Sequence, residues 1–226
     1  MKKKAIVLIS GGLDSLVTAA VANKDCDEIN FLHLNYGQLT HEKELEAFHN
    51  ISEFYQPKNT LLADISYLQQ IGGSSLIDDK IRMSSSSELN KIPNTYVPFR
   101  NAHLLSIAVS WAEVIEANRI YIGAMEEDSS GYPDCRESFY RAFQKAIDLG
   151  TKDDTIIEIK TPIIHKHKSQ IVMLGKKLKA PLHYSWSCYK NNQVACGVCE
   201  SCKLRIRAFK EAGIKDPILY QIEIDW

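Results

Sequence analysis

Residues 5–15, AIVLISGGLDS, restrict what this chain can fold into more than any other stretch. Ala5-Ile6-Val7-Leu8-Ile9 is an unbroken apolar run rich in β-branched residues. It reads as a strand buried on both faces, the habit of a parallel sheet covered by helices. Ser10-Gly11-Gly12-Leu13-Asp14-Ser15 then turns the chain, and Leu16 to Ala22 is small and apolar enough for a packed helix. Strand, glycine turn and helix N-terminus together form an anion site. Two residues without Cβ let backbone N–H groups approach phosphate oxygens, and the helix dipole favours negative charge there. Ser10 and Ser15 add hydroxyl donors. Asp14 reads as an N-cap acceptor for the first helix, or as a carboxylate reaching a Mg²⁺ that neutralises the phosphates. The turn has neither the lysine of G-x-x-x-x-G-K-[ST] nor the spacing of G-x-G-x-x-G.

Downstream, strand and helix patterns alternate. Strands are expected at 28–34, 59–63, 119–123 and 155–160, and helices at 40–55, from Asn101 onward, at 136–149 and at 168–178. The helix from Asn101 is apolar nearly all round and is expected to be deeply buried. His33 reads as a packed core histidine, and His41 and His49 as residues of a polar helix face. The polar stretch from Gly72 through Ser87 is expected to be a mobile surface loop or a lid. The fold class that follows is α/β, a doubly wound, mostly parallel sheet with ligands at the carboxyl ends of its strands.

Charge and cysteine usage narrow the function. With 27 Lys+Arg against 28 Asp+Glu, the net charge of −1 argues against a nucleic-acid partner. No apolar stretch approaches membrane-spanning length, so no membrane partner and a cytoplasmic location are expected. In that compartment six cysteines point to metal or catalysis rather than disulfides. Cys188, Cys196, Cys199 and Cys202 contain two adjoining C-x-x-C steps and a fourth thiolate, the pattern of a closed tetrahedral zinc site. Gly197 permits the tight turn between sulfurs. An iron–sulfur cluster is the competing reading, although Lys203-Leu204-Arg205-Ile206 carries no ferredoxin-like continuation. Cys26 and Cys135 stand alone.

Ser10 to Ser15 after a first strand resembles the pyrophosphate (PP) loop of the N-type ATP pyrophosphatases. With Tyr36-Gly37-Gln38, the 92–101 segment IPNTYVPFRN, the 130–136 segment SGYPDCR and the four cysteines, the chain resembles the 7-cyano-7-deazaguanine synthase family over nearly its whole length. It departs from that family's pattern at Phe99, where glycine is usual, and at Asn35, where aspartate is usual. The resemblance implies ATP-dependent conversion of 7-carboxy-7-deazaguanine and ammonia to the nitrile, a ligase of queuosine biosynthesis with one bound Zn²⁺. ATP would enter with Mg²⁺.

It also implies roles for residues. ATP would lie on Ile9, Ser10, Gly11, Gly12, Leu13, Asp14, Ser15, Leu16, Val17, Thr18 and Ala19, with Ser10, Asp14, Ser15 and Arg100 catalytic. Arg100, Asn101, Tyr132, Asp134 and Arg136 would bind the substrate: Arg100 by its fork to phosphate or carboxylate, Tyr132 by stacking, Asp134 by accepting base N–H groups. The implied division is an ATP-binding domain over 1–183 and a zinc-binding segment over 184–226, with a homodimer left open. Rival readings are a related enzyme on another carboxylated small molecule, a tRNA-thiolating pyrophosphatase, and a non-catalytic nucleotide-binding or zinc-ribbon adaptor.

Overall fold

Side chains of β1 (Lys4–Leu8) alternate between two hydrophobic layers. Ile6 and Leu8 join one cluster, and Ala5, Val7 and the following Ile9 join the other. A strand with both faces covered has no use for polar residues, and its run of five apolar residues reflects that. The computed structural model describes residues 2–82, 92–126 and 131–226. Around β1 stand β2 (Glu28–Asn35), β3 (Thr60–Asp64), β4 (Arg119–Tyr121) and β5 (Glu158–Lys160), in the order β3-β2-β1-β4-β5 and parallel throughout. β4 and β5 are shorter than their sequence patterns suggest.

One face carries α1 (Leu13–Asp25), α2 (His41–Tyr55), α6 (Lys168–Lys177) and α7 (Glu200–Glu211). The other carries α3 (Leu68–Ile71), α4 (Arg100–Ile115) and α5 (Glu137–Gly150). The strand order reverses at β1, between β2 and β4, and the crevice beyond the carboxyl ends of β1 and β4 is where such sheets bind ligands. The glycine turn follows β1 directly. Among the described residues, no helix is long and apolar enough to cross a membrane.

Two expectations need correction. α4 is not buried all round. The sheet takes one stripe, Ala102, Leu105, Ala108 and Ala112, while Leu104, Ile107, Val109 and Trp111 stay half-buried and Val114 is 79% exposed. Gly72 to Arg82 is not a loose polar loop, because Ser74, Ser75, Leu76 and Ile77 are all buried. Ser75 is tied to Asn94 by its backbone N–H (2.8 Å) and by its hydroxyl. The remainder of that expected loop or lid falls within 83–91, outside the described residues, as do Ser129 and Ser130. The C-terminal segment adds to the core, since Ala208 and Phe209 of α7 join the cluster formed by α1 and α6.

Candidate active site

The loop after β1 is shaped by its own hydrogen bonds. Gly11 has φ +83°, where an L-residue is strained, and a Cβ there would stand 2.7 Å from the Glu44 carbonyl oxygen in the first turn of α2. Gly12 is the N-cap of α1, at φ −78°, and no side chain caps that helix. Asp14 therefore does not serve as the N-cap; it sits inside the first turn. The Ser15 hydroxyl donates to the Gly12 carbonyl (2.9 Å), and the Gly12 N–H meets Ser10 Oγ at 3.3 Å. Ser10 and Ser15 hydroxyls lie 3.2 Å apart.

Asp14 is held from a distance. Lys168 Nζ, at the start of α6, donates to Asp14 Oδ2 at 2.6 Å, while Asp14 Oδ1 is buried without a hydrogen-bond partner. An acidic residue in a first turn is favoured by the helix dipole, and the added ammonium makes the rim of the loop a paired-charge site. Sequence reasoning missed Lys168, 154 positions away from Asp14; only the fold brings the start of α6 beside the loop.

The second half of the site surrounds Arg100, the first residue of α4. Its guanidinium lies 4.9 Å from the Tyr36 ring centroid, and Nε is buried without a hydrogen-bond partner. Burial works against its charge, while Tyr36, Tyr132, Cys135 and Asp134 favour it. Asp134 is buried, and its Oδ2 accepts the backbone N–H of Asn101 at 2.9 Å. Burial raises the Asp134 pKa against that bond and Arg100. The Asn101 amide donates to the Asp134 carbonyl oxygen (2.9 Å) and faces Cys135 Sγ and Tyr140 Oη, both at 3.4 Å. Its side chain is thus engaged within the protein. Tyr132 donates to Thr95 Oγ1 at 2.7 Å with its ring 5.5 Å from that of Tyr96, whereas the Arg136 side chain is exposed.

Tyr36-Gly37-Gln38 connects the two halves. Gln38 Oε1 accepts the Tyr36 N–H (2.9 Å), and its Nε2 donates to Glu44 Oε2 (3.0 Å). Thr40 Oγ1 donates to Glu44 Oε1 at 2.7 Å. Burial raises the Glu44 pKa; Thr40, Gln38 and then Arg100 oppose it. Cys135 is pushed up to about 11, by burial first and then by Asp134, with a further contribution from Asp14 across the rim. His33 is a packed core residue as expected, with Nδ1 2.8 Å from the Ile9 carbonyl oxygen and its pKa lowered by burial.

The four cysteines at 188, 196, 199 and 202 are buried, and their sulfurs all lie within 4.8 Å of one another. A tetrahedral zinc with bonds of about 2.3 Å needs sulfurs about 3.8 Å apart. The Cys196–Cys202 separation of 3.9 Å fits, and none of the six cysteines forms a disulfide. Gly197 makes the turn at φ +74°.

A sequence model of the family described as Queuosine biosynthesis protein QueC matches residues 4–213. The chain belongs to this family. It is 56% identical over 224 residues to the 7-cyano-7-deazaguanine synthase of Chlorobium phaeobacteroides, covering 99% of each chain. It is 54% identical over 220 residues to that of Chloroherpeton thalassium, with 97% of each covered. Among solved structures, a 4-thiouridine synthetase–RNA complex with bound ATP shares the fold at TM-score 0.52 and 17% identity, over 93% of this chain and 50% of that one.

The two positions expected to depart from the family pattern, Phe99 and Asn35, have distinct local settings. Phe99 adopts φ +57°, a left-handed position that suits glycine, and the residue is 58% exposed with its ring edge-on to Phe139. Asn35 donates to Asp64 Oδ2 (2.8 Å) and accepts the Gly37 N–H (3.0 Å); an aspartate there would confront Asp64 with a second carboxylate.

Proposed function

We propose that the chain converts 7-carboxy-7-deazaguanine, ammonia and ATP to 7-cyano-7-deazaguanine. The observation that carries this is the Arg100 guanidinium, half enclosed over Tyr36, with a buried Nε that no protein acceptor meets. A buried cation without a hydrogen-bonded acceptor is costly unless an anionic ligand completes it. It shares a rim with a loop whose Gly12 N–H and serine hydroxyls are suited to phosphate.

In this reading the stretch from Ile9 to Ala19, the loop after β1 and the first turns of α1, takes the β- and γ-phosphates at its loop end, with Lys168 released from Asp14 toward them. A Mg²⁺ accompanying ATP would be held at Asp14 Oδ1 and would neutralise phosphate charge. Arg100 holds the acid so that its carboxylate oxygen meets the α-phosphorus. Oxide is too poor a leaving group to depart, so transfer of that oxygen to phosphorus, with loss of pyrophosphate, makes it displaceable. Ammonia adds at the carbonyl carbon, the phosphorylated oxygen departs, and a proton is lost to give the amide. A second activation of the amide oxygen, followed by loss of two protons from nitrogen and departure of the activated oxygen, leaves the nitrile. Positioning and charge stabilisation suffice, with no acid–base triad. Tyr132 and Tyr96 offer faces for the flat base. Asn101 and Asp134 brace the turn beneath it, Asp134 having its remaining carboxylate capacity for base N–H groups. Zinc on the four cysteines would be structural, closing the C-terminal segment.

The tRNA-thiolating alternative needs a reactive thiol. Cys135 is buried with its pKa pushed up to about 11, which keeps it protonated at neutral pH. ATP consumption stimulated by the free acid plus ammonium, and not by tRNA, is the expected result; stimulation by tRNA alone would overturn the reading.

A further inference from the structure

The 182–187 segment, a few residues beyond α6, passes the phosphate loop on its way to the cysteine cluster, and one hydrogen bond joins it to the loop. The Trp186 N–H donates to the Gly11 carbonyl oxygen at 2.9 Å. The C=O of Gly11 and the N–H of Gly12 belong to one trans peptide, so they point in opposite directions. Anchoring the first on Trp186 aims the second away from the segment, toward Ser10 Oγ and the concave side of the loop. Gly11, with no Cβ, has several backbone conformations open to it, so the peptide's orientation has to be held by a partner.

The segment is itself clamped. Arg205 of α7 is 1% exposed, and its guanidinium brackets Trp186 on both sides. Nη1 donates to Ser185 Oγ (2.8 Å), the Ser185 carbonyl oxygen (3.2 Å) and Ser187 Oγ (3.2 Å), and Nη2 to the Leu182 carbonyl oxygen (3.3 Å). Asp216 holds the other edge of the fork through Nε (2.7 Å) and Nη2 (3.0 Å), and the Tyr220 hydroxyl donates to Asp216 Oδ2 at 2.8 Å. The Trp186 ring is fixed as well, by its Nε1–H to the Cys188 carbonyl oxygen (3.0 Å) and by Lys43 Nζ 5.2 Å from its centroid.

We propose that Trp186 and Arg205 are positioning residues for ATP: the 182–187 strap, clamped by Arg205, sets the direction of the Gly12 amide that receives phosphate. The proposal rests on the loop being the ATP site and not on which acid is the substrate. Linkage makes it reciprocal, so ATP must stabilise the strap by as much as the strap favours ATP.

Trp186→Ala and Trp186→Pro both remove the ring, and only the second removes the N–H. Ser185, at φ −81° and ψ 141°, already has the backbone that a following proline requires. By calorimetry, Trp186→Pro is expected to bind ATP about two- to tenfold more weakly than Trp186→Ala, the range for one hydrogen bond. Arg205→Lys, which keeps a charge beside Asp216 but loses the fork, is expected to raise the ATP dissociation constant and KM for ATP while leaving KM for the acid unchanged. In the wild-type protein ATP is expected to slow hydrogen exchange at the Trp186 amide. Equal ATP affinity in the two Trp186 variants, or an equal rise of both KM values in Arg205→Lys, overturns the proposal. Should Trp186→Pro fail to fold, unchanged exchange at the wild-type Trp186 amide does so by itself. A protein that makes no nitrile yet shows these ATP effects defeats the substrate assignment and leaves the strap standing.

Discussion

The two glycines of the loop should fail in different ways when given a methyl group. At Gly11 an alanine must adopt φ +83° and place its Cβ 2.7 Å from the Glu44 carbonyl oxygen, with the Ala47 Cβ at 3.0 Å. The left-handed backbone costs about 1–2 kcal/mol and pushing back a backbone carbonyl about 1–3 kcal/mol. Gly11→Ala is therefore expected to lose about 2–5 kcal/mol of stability, which for a chain of this size lowers Tm by about 4–20 °C. At Gly12 the φ of −78° is ordinary, and a Cβ meets only Ser10 Oγ at 3.3 Å and the Trp186 carbonyl oxygen at 3.7 Å. Exchanging glycine for alanine at an N-cap costs a few tenths to about 1 kcal/mol, offset by about 0.4–1 kcal/mol from a stiffer unfolded chain. Gly12→Ala should melt within a few degrees of wild type. Its methyl group would stand between Ser10 Oγ and the Trp186 carbonyl oxygen, beside the amide proposed to take phosphate, so ATP affinity should fall at least about tenfold, equivalent to about 1.4 kcal/mol. Thermal melts paired with calorimetry read both effects. A folded Gly12→Ala protein that binds ATP as wild type does would refute the assignment of this loop to phosphate.

Three further outcomes are expected. Purified protein should carry one zinc per chain, and Cys202→Ser should lose it and melt at lower temperature, since a structural zinc supplies about 10–16 kcal/mol; iron with acid-labile sulfide would contradict this. Phe99→Gly should keep Tm and turnover or raise them slightly, because relief of a left-handed backbone (about 1–2 kcal/mol) outweighs the glycine entropy cost (about 0.5–1 kcal/mol); a large loss would show that the exposed ring has a role. Glu44 has a folded-state pKa raised by burial, so its contribution to stability is full below the unfolded carboxyl pKa near 4.3 and declines as pH rises through the raised value. Glu44→Gln should flatten that part of the Tm-against-pH curve, and an unchanged curve would refute the burial of an ionisable carboxyl there.

What the sequence disclosed was local. The β1 run, the Ser10–Ser15 turn and the C-x-x-C steps each state their chemistry within a few residues, and the parallel sheet follows from the alternation of strand and helix patterns. Interactions spanning long separations were not legible: Lys168 with Asp14, Arg205 with Ser185 and Asp216, and Trp186 with Gly11 exist only because the sheet brings their elements to one rim. Polarity misled at Ser74 and Ser75, which are buried because Asn94 satisfies Ser75 and because Leu76 and Ile77 carry the segment into the core. Hydrophobicity misled at α4, whose apolar residues exceed what one face of a sheet can cover. Of the two readings of Asp14, the cap fails because the N-cap is Gly12, and a glycine N-cap leaves no side-chain signature.

Whether Arg100 and the loop act together on a carboxylated deazaguanine is tested most directly by mass spectrometry of a reaction containing 7-carboxy-7-deazaguanine, ammonium and ATP. Zinc-loaded protein should yield 7-cyano-7-deazaguanine, and the Arg100→Met protein should yield about a hundredfold less while still binding ATP. Absence of the nitrile from zinc-loaded protein that consumes ATP with a different carboxylic acid would contradict the proposed activity.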